Sequence, residues 1–216
     1  MKKLMILSCI LFFAFISLQA QVHFDLQLGV SPGGNPTCAS LFVNRSNPYE
    51  EFQFSMVNIK PQFFTGVRAN VQLKEPFFLE GGISYTKSNS EYLVIYTYEN
   101  ENRPSEISMS VIDHIIQFPI NVGVSLGSVD ITSGLTAMKT ISSDNELEQI
   151  NGFHSDDAKF QIGWQMGARY ALHRFMIGLE FQSGFNRVCE GMYVNQQSLE
   201  LMNVPGKFVV TGQYRF

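Results

Sequence analysis

Charge is the first thing that this sequence has little of. Lys, Arg, Asp and Glu make up only 16% of the 216 residues, whereas an average soluble domain has about 25%. So little charge, beside 45% hydrophobic residues, excludes a disordered tail, a coiled coil and a collagen-like fibre. The net charge of −4 provides no basic surface of the kind that binds nucleic acid, so no nucleic-acid partner is expected.

Long hydrophobic runs are also missing once the N-terminus is passed. Leu4–Leu18 is an apolar run that follows the basic start Met1–Lys3 and ends just before Ala20. This order is typical of a cleavable signal peptide, and the run is short for a membrane-spanning helix. We therefore predict a signal peptide over residues 1–20 and one exported domain over residues 21–216, without a helical membrane anchor.

Metal-binding and catalytic motifs are scarce as well. The four His show no HxH or HExxH spacing, so neither a metal site nor a cofactor is predicted. The best material for an enzyme is His154-Ser155-Asp156-Asp157 with Asp144 nearby, which supplies the residue types of a nucleophile, a base and an orienting acid. Because neighbours in sequence rarely converge in a triad, we expect a non-enzymatic protein, with a lipid hydrolase as the alternative.

Aromatic residues and strict alternation are what the sequence has in abundance. It contains 19 Phe, 8 Tyr and 17 Gly. Apolar and polar residues alternate along many stretches, which is the pattern of β-strands with one apolar face. The alternation predicts eight strands, namely Val22–Val30, Phe63–Leu73, Phe77–Tyr85, Ile116–Leu126, Val129–Ala137, Phe160–Leu172, Phe175–Ser183 and Phe208–Phe216. The stretch Tyr92–Tyr98 is expected to extend the hairpin of the third and fourth strands. Such a stretch can be an exposed, Tyr-rich binding surface, but it is more often a strand continuation or an aromatic belt at the membrane edge.

The connections between the predicted strands alternate in length. The tight ones are Lys74-Glu75-Pro76, Gly127-Ser128 and His173-Arg174, and the long polar ones are Pro32–Lys60, Lys87–Ile112, Ile141–Asp157 and Arg187–Gly206. Tight turns at one end and long loops at the other are typical of outer-membrane barrels. We therefore predict an all-β fold, an eight-stranded antiparallel up-and-down transmembrane β-barrel. Both termini then face the periplasm, and the four long loops face the outside.

Charge is confined to the polar faces of these strands, and the apolar faces carry none. The polar faces hold seven charged residues, namely Asp25, Arg68, Glu80, Asp130, Arg169, Glu180 and Arg215. Side chains fill the interior of an eight-stranded barrel. These seven residues, called here the lumen charge network, are therefore expected to pair inside the barrel and to plug it. The alternative is a soluble, lipocalin-like carrier, which would turn its apolar face inward around a ligand.

Several segments resemble the PorT-like outer-membrane β-barrel proteins of Bacteroidetes. The likeness lies in Pro61–Ser88, in Ile116-Gln117-Phe118-Pro119-Ile120-Asn121 and in Gly178-Leu179-Glu180-Phe181-Gln182-Ser183-Gly184. The chain end, with Phe208, Tyr214 and Phe216, resembles the signal by which such proteins reach the barrel-assembly machinery. The resemblance implies a location in a Gram-negative outer membrane and contact with its lipid. It further implies a structural or interaction role, exerted through the loops or through a protein partner at the barrel wall. One such role is that of an accessory protein in type IX secretion.

Two cysteines remain after the predicted signal peptide. Cys38 follows the first predicted strand and Cys189 follows the seventh, so both fall in outer loops that flank the eighth strand. Disulfides form in exported proteins because the compartment is oxidising. A disulfide between the two is therefore one prediction, and two separate thiols are the alternative, since the distance between their Cα atoms does not follow from sequence.

Overall fold

The computed structural model describes residues 21–34, 40–47, 50–98, 105–150, 152–155, 160–185, 192–194, 197–198 and 206–216. Within these residues the protein is all-β, and the one helical piece among them is a 3-10 turn at Glu146–Gln149. None of the described segments forms a helix that is long and apolar enough to cross a membrane. The predicted signal peptide and both Cys38 and Cys189 lie outside the described residues.

The described strands number thirteen. In chain order they are β1 (Val22–Ser31), β2 (Ser40–Asn47), β3 (Glu50–Ile59), β4 (Gln62–Lys74), β5 (Phe77–Tyr98), β6 (Ser105–Leu126), β7 (Val129–Asn145), β8 (Phe153–Ser155), β9 (Phe160–Leu172), β10 (Phe175–Gly184), β11 (Met192–Val194), β12 (Gln197–Ser198) and β13 (Lys207–Arg215). Eight of them close into an antiparallel ring in the order β1-β4-β5-β6-β7-β9-β10-β13, and β13 pairs back onto β1. Each ring strand thus lies beside the next ring strand of the chain.

These eight ring strands are the eight that alternation predicts. Beyond the ring, β5, β6 and β7 continue well past their predicted ends. The predicted extension by Tyr92–Tyr98 is part of this, but the prediction is wrong for the rest, which it treats as loop. The predicted loop Pro32–Lys60 also contains the hairpin β2–β3. This hairpin forms a strand pair there because the outer half of β5 has a free edge, and β3 pairs with that edge from Ser90 to Tyr98. The short strands β8, β11 and β12 form a separate small sheet.

The ring has its apolar side chains outside and its polar side chains inside. Outward residues such as Phe63, Ile120 and Leu28 are 72%, 65% and 59% exposed. Inward residues such as Asp25 and Thr211 are fully buried. Successive side chains of a strand point to opposite faces, so one alternating sequence fixes both surfaces at once. This distribution is the reverse of that in a soluble domain, where apolar groups fill the interior.

Beyond the ring, apolar side chains form a buried core, as they do in a soluble domain. The overhanging strands bury a small apolar core against the 3-10 turn, made of Phe54, Met56, Tyr92, Val94, Met109, Val111, Leu147 and Ile150. The expected strand continuation over Tyr92–Tyr98 is confirmed, whereas Tyr92 is only 4% exposed and does not lie on an open, Tyr-rich surface. Its phase on β5 explains the difference, because Tyr92 continues the inward face of the strand.

Candidate functional site in the ring interior

Four buried charges form the centre of the ring interior. Arg68 on β4 lies 3.2 Å from Glu80 on β5 and 3.6 Å from Glu180 on β10, measured between side-chain N and O atoms. Arg169 on β9 also pairs with Glu80. All four side chains are at most 5% exposed. The pairs therefore join strands from opposite sides of the ring and form a continuous charged layer across it.

Neutral amides add hydrogen bonds to this layer, while Nε and Nη2 of Arg169 have no partner among the described residues. Gln27 accepts a bond of 2.7 Å from Arg68 Nε and donates one of 3.2 Å to Glu180 Oε1. Asn121 donates to Glu80 Oε1 at 2.8 Å. Because a buried charge is costly unless it is paired and hydrogen-bonded, this dense bonding keeps the layer ionic and compact.

The rest of the lumen charge network lies nearer the end with the tight turns. Arg215 donates to Asp25 at 3.0 Å and is the most exposed of the seven, at 31%. Asp130 accepts a bond of 2.6 Å from the Ser125 hydroxyl and is the register partner of Arg169. The structure thus brings all seven residues onto the inner face of the ring.

Glycines make room for the large charged side chains. A Cβ atom placed on Gly178 would lie 2.6 Å from Cγ of Arg169, and one on Gly82 would lie 2.7 Å from Cδ of Arg68. Real Cβ atoms do not approach so closely, so both positions need glycine for the close approach. The alternation of large and small inward residues allows an eight-stranded ring to hold two buried guanidinium groups.

A cavity of about 310 Å³ lies between the charged layer and the outer ends of the strands. Its walls are rich in Gln, Ser and Thr, with Lys207 on β13 and Asp113 on β6 as charged members. Lys207 donates to Gln62 Oε1 at 3.0 Å, and its ammonium group lies 4.6 Å from the centre of the Phe64 ring. Among the described residues, neither Lys207 nor Asp113 has an ion-pair partner.

Three buried polar atoms at this cavity have no hydrogen-bond partner among the described residues. They are Gln117 Nε2, Thr136 Oγ1 and Gln182 Oε1, on side chains that are 2%, 1% and 5% exposed. Unpaired buried polar groups are rare, and each calls for an explanation such as a water or a ligand. Eight other buried polar atoms of the described residues also lack a partner, but none of their residues lines this cavity. The cavity is therefore where unpaired polar groups and free space coincide.

Sequence reasoning missed the two charged residues of this cavity. Asp113 immediately follows the predicted long loop Lys87–Ile112, and Lys207 directly precedes the eighth predicted strand. A usable signal was present in the phase of the alternation. Lys207 continues the inward series of Val209 and Thr211, and Asp113 continues that of Gln117.

Aromatic side chains gather on the outer surface near both ends of the ring. Towards the turn end, Tyr214 lies 5.0 Å from Phe175 and 5.2 Å from Phe216, between ring centres. Towards the other end, Phe181 lies 5.4 Å from Trp164 and 5.1 Å from Phe208. The predicted assembly-signal residues Phe208, Tyr214 and Phe216 therefore all belong to these outward aromatic clusters.

Two acidic residues of the overhanging sheet have perturbed acidity. The backbone N–H of Ser110 donates to Glu146 at 2.6 Å, which lowers the pKa of Glu146 below its usual 4.5. Hydrogen bonds from Lys60 and Asn58 lower the pKa of Glu91. Both effects arise because hydrogen bonds and a nearby cation favour the ionised carboxylate. The same hydrogen bonds attach the 3-10 turn and β3 to the long hairpin β5–β6.

The residues of the hydrolase alternative fall on separate elements. His154 and Ser155 are adjacent in β8, where His154 is exposed and Ser155 is buried, as alternation along a strand requires. Asp144 is exposed on β7, and Asp156 and Asp157 lie outside the described residues. No group of three or more His, Cys, Asp or Glu in the described part of the chain is arranged to hold a metal ion.

Comparison with known proteins adds no assignment to this geometry. A scan against protein-family models finds no match to the chain, and a search of the curated proteins finds none either. The relation to PorT-like proteins therefore stays a prediction, carried by the sequence segments named above. Function is therefore inferred from the surfaces and the interior of the ring.

Proposed function

We propose that this protein is a small β-barrel of a bacterial outer membrane, a non-enzymatic anchor that holds an interaction surface outside the cell. The observation that carries the proposal is the inverted ring, with an apolar exterior around a buried ionic interior. An exposed apolar surface of this extent on a monomer marks contact with another apolar phase. A closed ring suits lipid because it leaves no unpaired strand edge in the hydrocarbon.

The height of the apolar surface supports the same proposal. The strands β1 and β10 each have ten residues. At about 3.3 Å per residue and a tilt of about 40°, ten residues rise about 25 Å, which is the height of the apolar band in outer-membrane barrels. The aromatic clusters at both ends of the ring match the aromatic girdles of such barrels.

The ionic interior supports a closed lumen. The layer formed by Arg68, Glu80, Arg169 and Glu180 reaches across the ring, and its members are nearly inaccessible to solvent. An eight-stranded ring has room for its own side chains and for little else. The proposed protein therefore conducts no steady ion current, and its activity lies in what projects outside.

The overhanging sheet is the proposed interaction element. Strands β5 and β6 have 22 residues each, more than twice the length of β1 or β10, and they carry the hairpin β2–β3 on one edge. The outer loops add the small sheet of β8, β11 and β12. Together with the PorT-like segments of the sequence, this large external part supports a role as an accessory of a secretion system. Contact with a protein partner is then made there or at the barrel wall.

Expression of the full precursor in a Gram-negative host tests the location. We expect the protein in the outer-membrane fraction, with a band that shifts on a gel between unheated and heated samples. A soluble periplasmic protein without a heat shift would overturn the proposal and favour the carrier alternative. The Ile120→Arg variant should be expressed in the same host. It places a charge in the middle of the apolar surface, so we expect less of the folded form in the unheated sample.

Conductance in a planar bilayer tests the closed lumen separately. The purified protein is expected to give no steady current. The double variant Arg68→Ala/Arg169→Ala removes the two guanidinium groups of the charged layer and is expected to give current steps if it folds. Open channels in the unchanged protein would refute the closed lumen while leaving the outer-membrane location intact.

A further inference from the structure

We propose that the cavity at the outer end of the ring binds a short zwitterionic peptide, with its carboxylate at Lys207 and its ammonium group at Asp113. The site lies above the charged layer, at the end from which β5 and β6 project. The inference goes beyond membrane anchoring and does not depend on it, because it rests on the groups that line the cavity.

The two charges stand on opposite walls of the cavity. In the ring order, β6 and β13 are four positions apart out of eight, so they face each other across the interior. Lys207 and Asp113 both line the cavity, and they form no ion pair with each other or with any other described residue. Both side chains are half-buried, so each charge has lost part of its hydration and gains from a partner of opposite sign. A ligand with one charge of each sign, held apart, supplies both partners at once.

The unpaired neutral groups match the amides of a peptide backbone. Gln117 Nε2 is a donor and suits a peptide carbonyl, whereas Gln182 Oε1 is an acceptor and suits a peptide N–H. The Thr136 hydroxyl serves either role. A free amino acid has the two charges but no internal amide, so it would leave these three groups unpaired. A dipeptide or tripeptide satisfies them.

The size of the cavity and the residues that line it further limit which ligands can bind. The volume of about 310 Å³ is near the lower end of the range for small-molecule sites, about 300–1,000 Å³, and admits two or three residues with small side chains. Met56, Met138 and Ile115 provide apolar wall for those side chains. A neutral sugar would leave Lys207 and Asp113 both unpaired, and a simple anion would meet the carboxylate of Asp113.

Titration calorimetry with triglycine as the probe tests the proposal on the folded, purified protein, in detergent or in buffer as its isolation requires. Two blocked probes, N-acetyl-triglycine and triglycine amide, each lack one terminal charge. We expect triglycine to bind and each blocked form to bind at least about tenfold more weakly, because each leaves one charged wall group unpaired. These comparisons use the unchanged protein, so no variant has to fold.

Charge-removing variants identify the two walls. Lys207→Gln is expected to abolish the preference for a free carboxylate, and Asp113→Asn the preference for a free ammonium group. The matched controls are Lys87→Gln and Asp144→Asn, which remove the same charges from exposed positions near the outer end of the ring. Absence of triglycine binding to the folded protein, equal binding of all three probes, or equal effects of the control variants would each overturn the proposal.

Discussion

Replacement of Arg169 by Met is the sharpest test of the ionic interior. The change keeps an unbranched side chain, although a shorter one, and removes the charge. The protein loses the ion pair with Glu80 and a hydrogen bond of 3.1 Å to Gln213. Removal of one partner from a buried pair costs about 3–5 kcal/mol, because the other charge stays buried without compensation. Since Glu80 keeps Arg68 at 3.2 Å and Asn121 at 2.8 Å, we expect the lower end, about 3 kcal/mol.

Urea unfolding measures this loss directly. The single tryptophan, Trp164, lies on the outer face of β9 and reports the transition by its fluorescence. The free energy of unfolding is obtained by linear extrapolation for the unchanged protein and for the Arg169→Met variant. The matched control is Arg174→Met, the same substitution in an exposed tight turn, where we expect a change within about 0.5 kcal/mol.

A double variant separates the pair from its surroundings. If Arg169 and Glu80 stabilise each other, Arg169→Met/Glu80→Gln should be less destabilised than the sum of the two single changes, by roughly 1 kcal/mol or more. An Arg169→Met variant as stable as the Arg174→Met control would refute the reasoning. It would mean that the interior pairs contribute no stability, and the lumen would then be held closed by packing alone.

Three further predictions address the outside, the interior packing and the overhang. Ile120→Arg should destabilise the folded protein by about 2–4 kcal/mol in lipid vesicles, whereas Ile107→Arg, at the outer end of the same strand, should leave the unfolding midpoint nearly unchanged. Gly178→Leu should cost about 1–3 kcal/mol in the same urea assay, because its side chain overlaps a buried arginine. The protection factor of the Ser110 amide, its exchange relative to the intrinsic rate at the same pH, should fall as pH falls below 4.5. The bond from Ser110 that lowers the pKa of Glu146 is made to the ionised carboxylate, so Glu146→Gln should remove this pH dependence.

Each of these three predictions has a clear contradicting result. Equal midpoints for the two isoleucine variants would mean that the outer face of the ring does not contact lipid. An unchanged midpoint for Gly178→Leu would show that the interior has spare room. A protection factor at Ser110 that does not change with pH in the unchanged protein would mean that Glu146 does not protect this amide.

The ring was accessible from sequence because alternation is strongest where the two faces of a strand meet opposite environments. In β9, Phe160, Ile162 and Met166 alternate with Gln161 and Gln165, and the predicted bounds agree with the structure. A strand with one apolar and one polar face leaves little freedom of register, since a slip of one residue exchanges the faces. The inward position of the lumen charge network follows from the same phase.

The overhang was harder to predict because its pairing is not encoded locally. The hairpin β2–β3 exists against the free outer edge of β5, and that edge arises only once β5 outgrows β4. The cavity has the same origin. Asp113 and Lys207 are 94 positions apart in the chain, and only ring closure places them on facing walls. Alternation fixes which way a side chain points, but it does not say which strand faces it.

The paired strands β5 and β6 give the best support for the proposed membrane boundary. Along β5 the outward series is apolar up to Tyr85 and becomes polar at Lys87 and Asn89, while the inward series changes from polar to apolar at Tyr92. Along β6 the outward apolar series is broken at His114, which is the register partner of Lys87. The two paired strands thus change character at one height. A soluble carrier gives no reason for this coincidence, whereas the edge of a hydrocarbon layer requires it, because apolar side chains cease to be favoured outside where water begins.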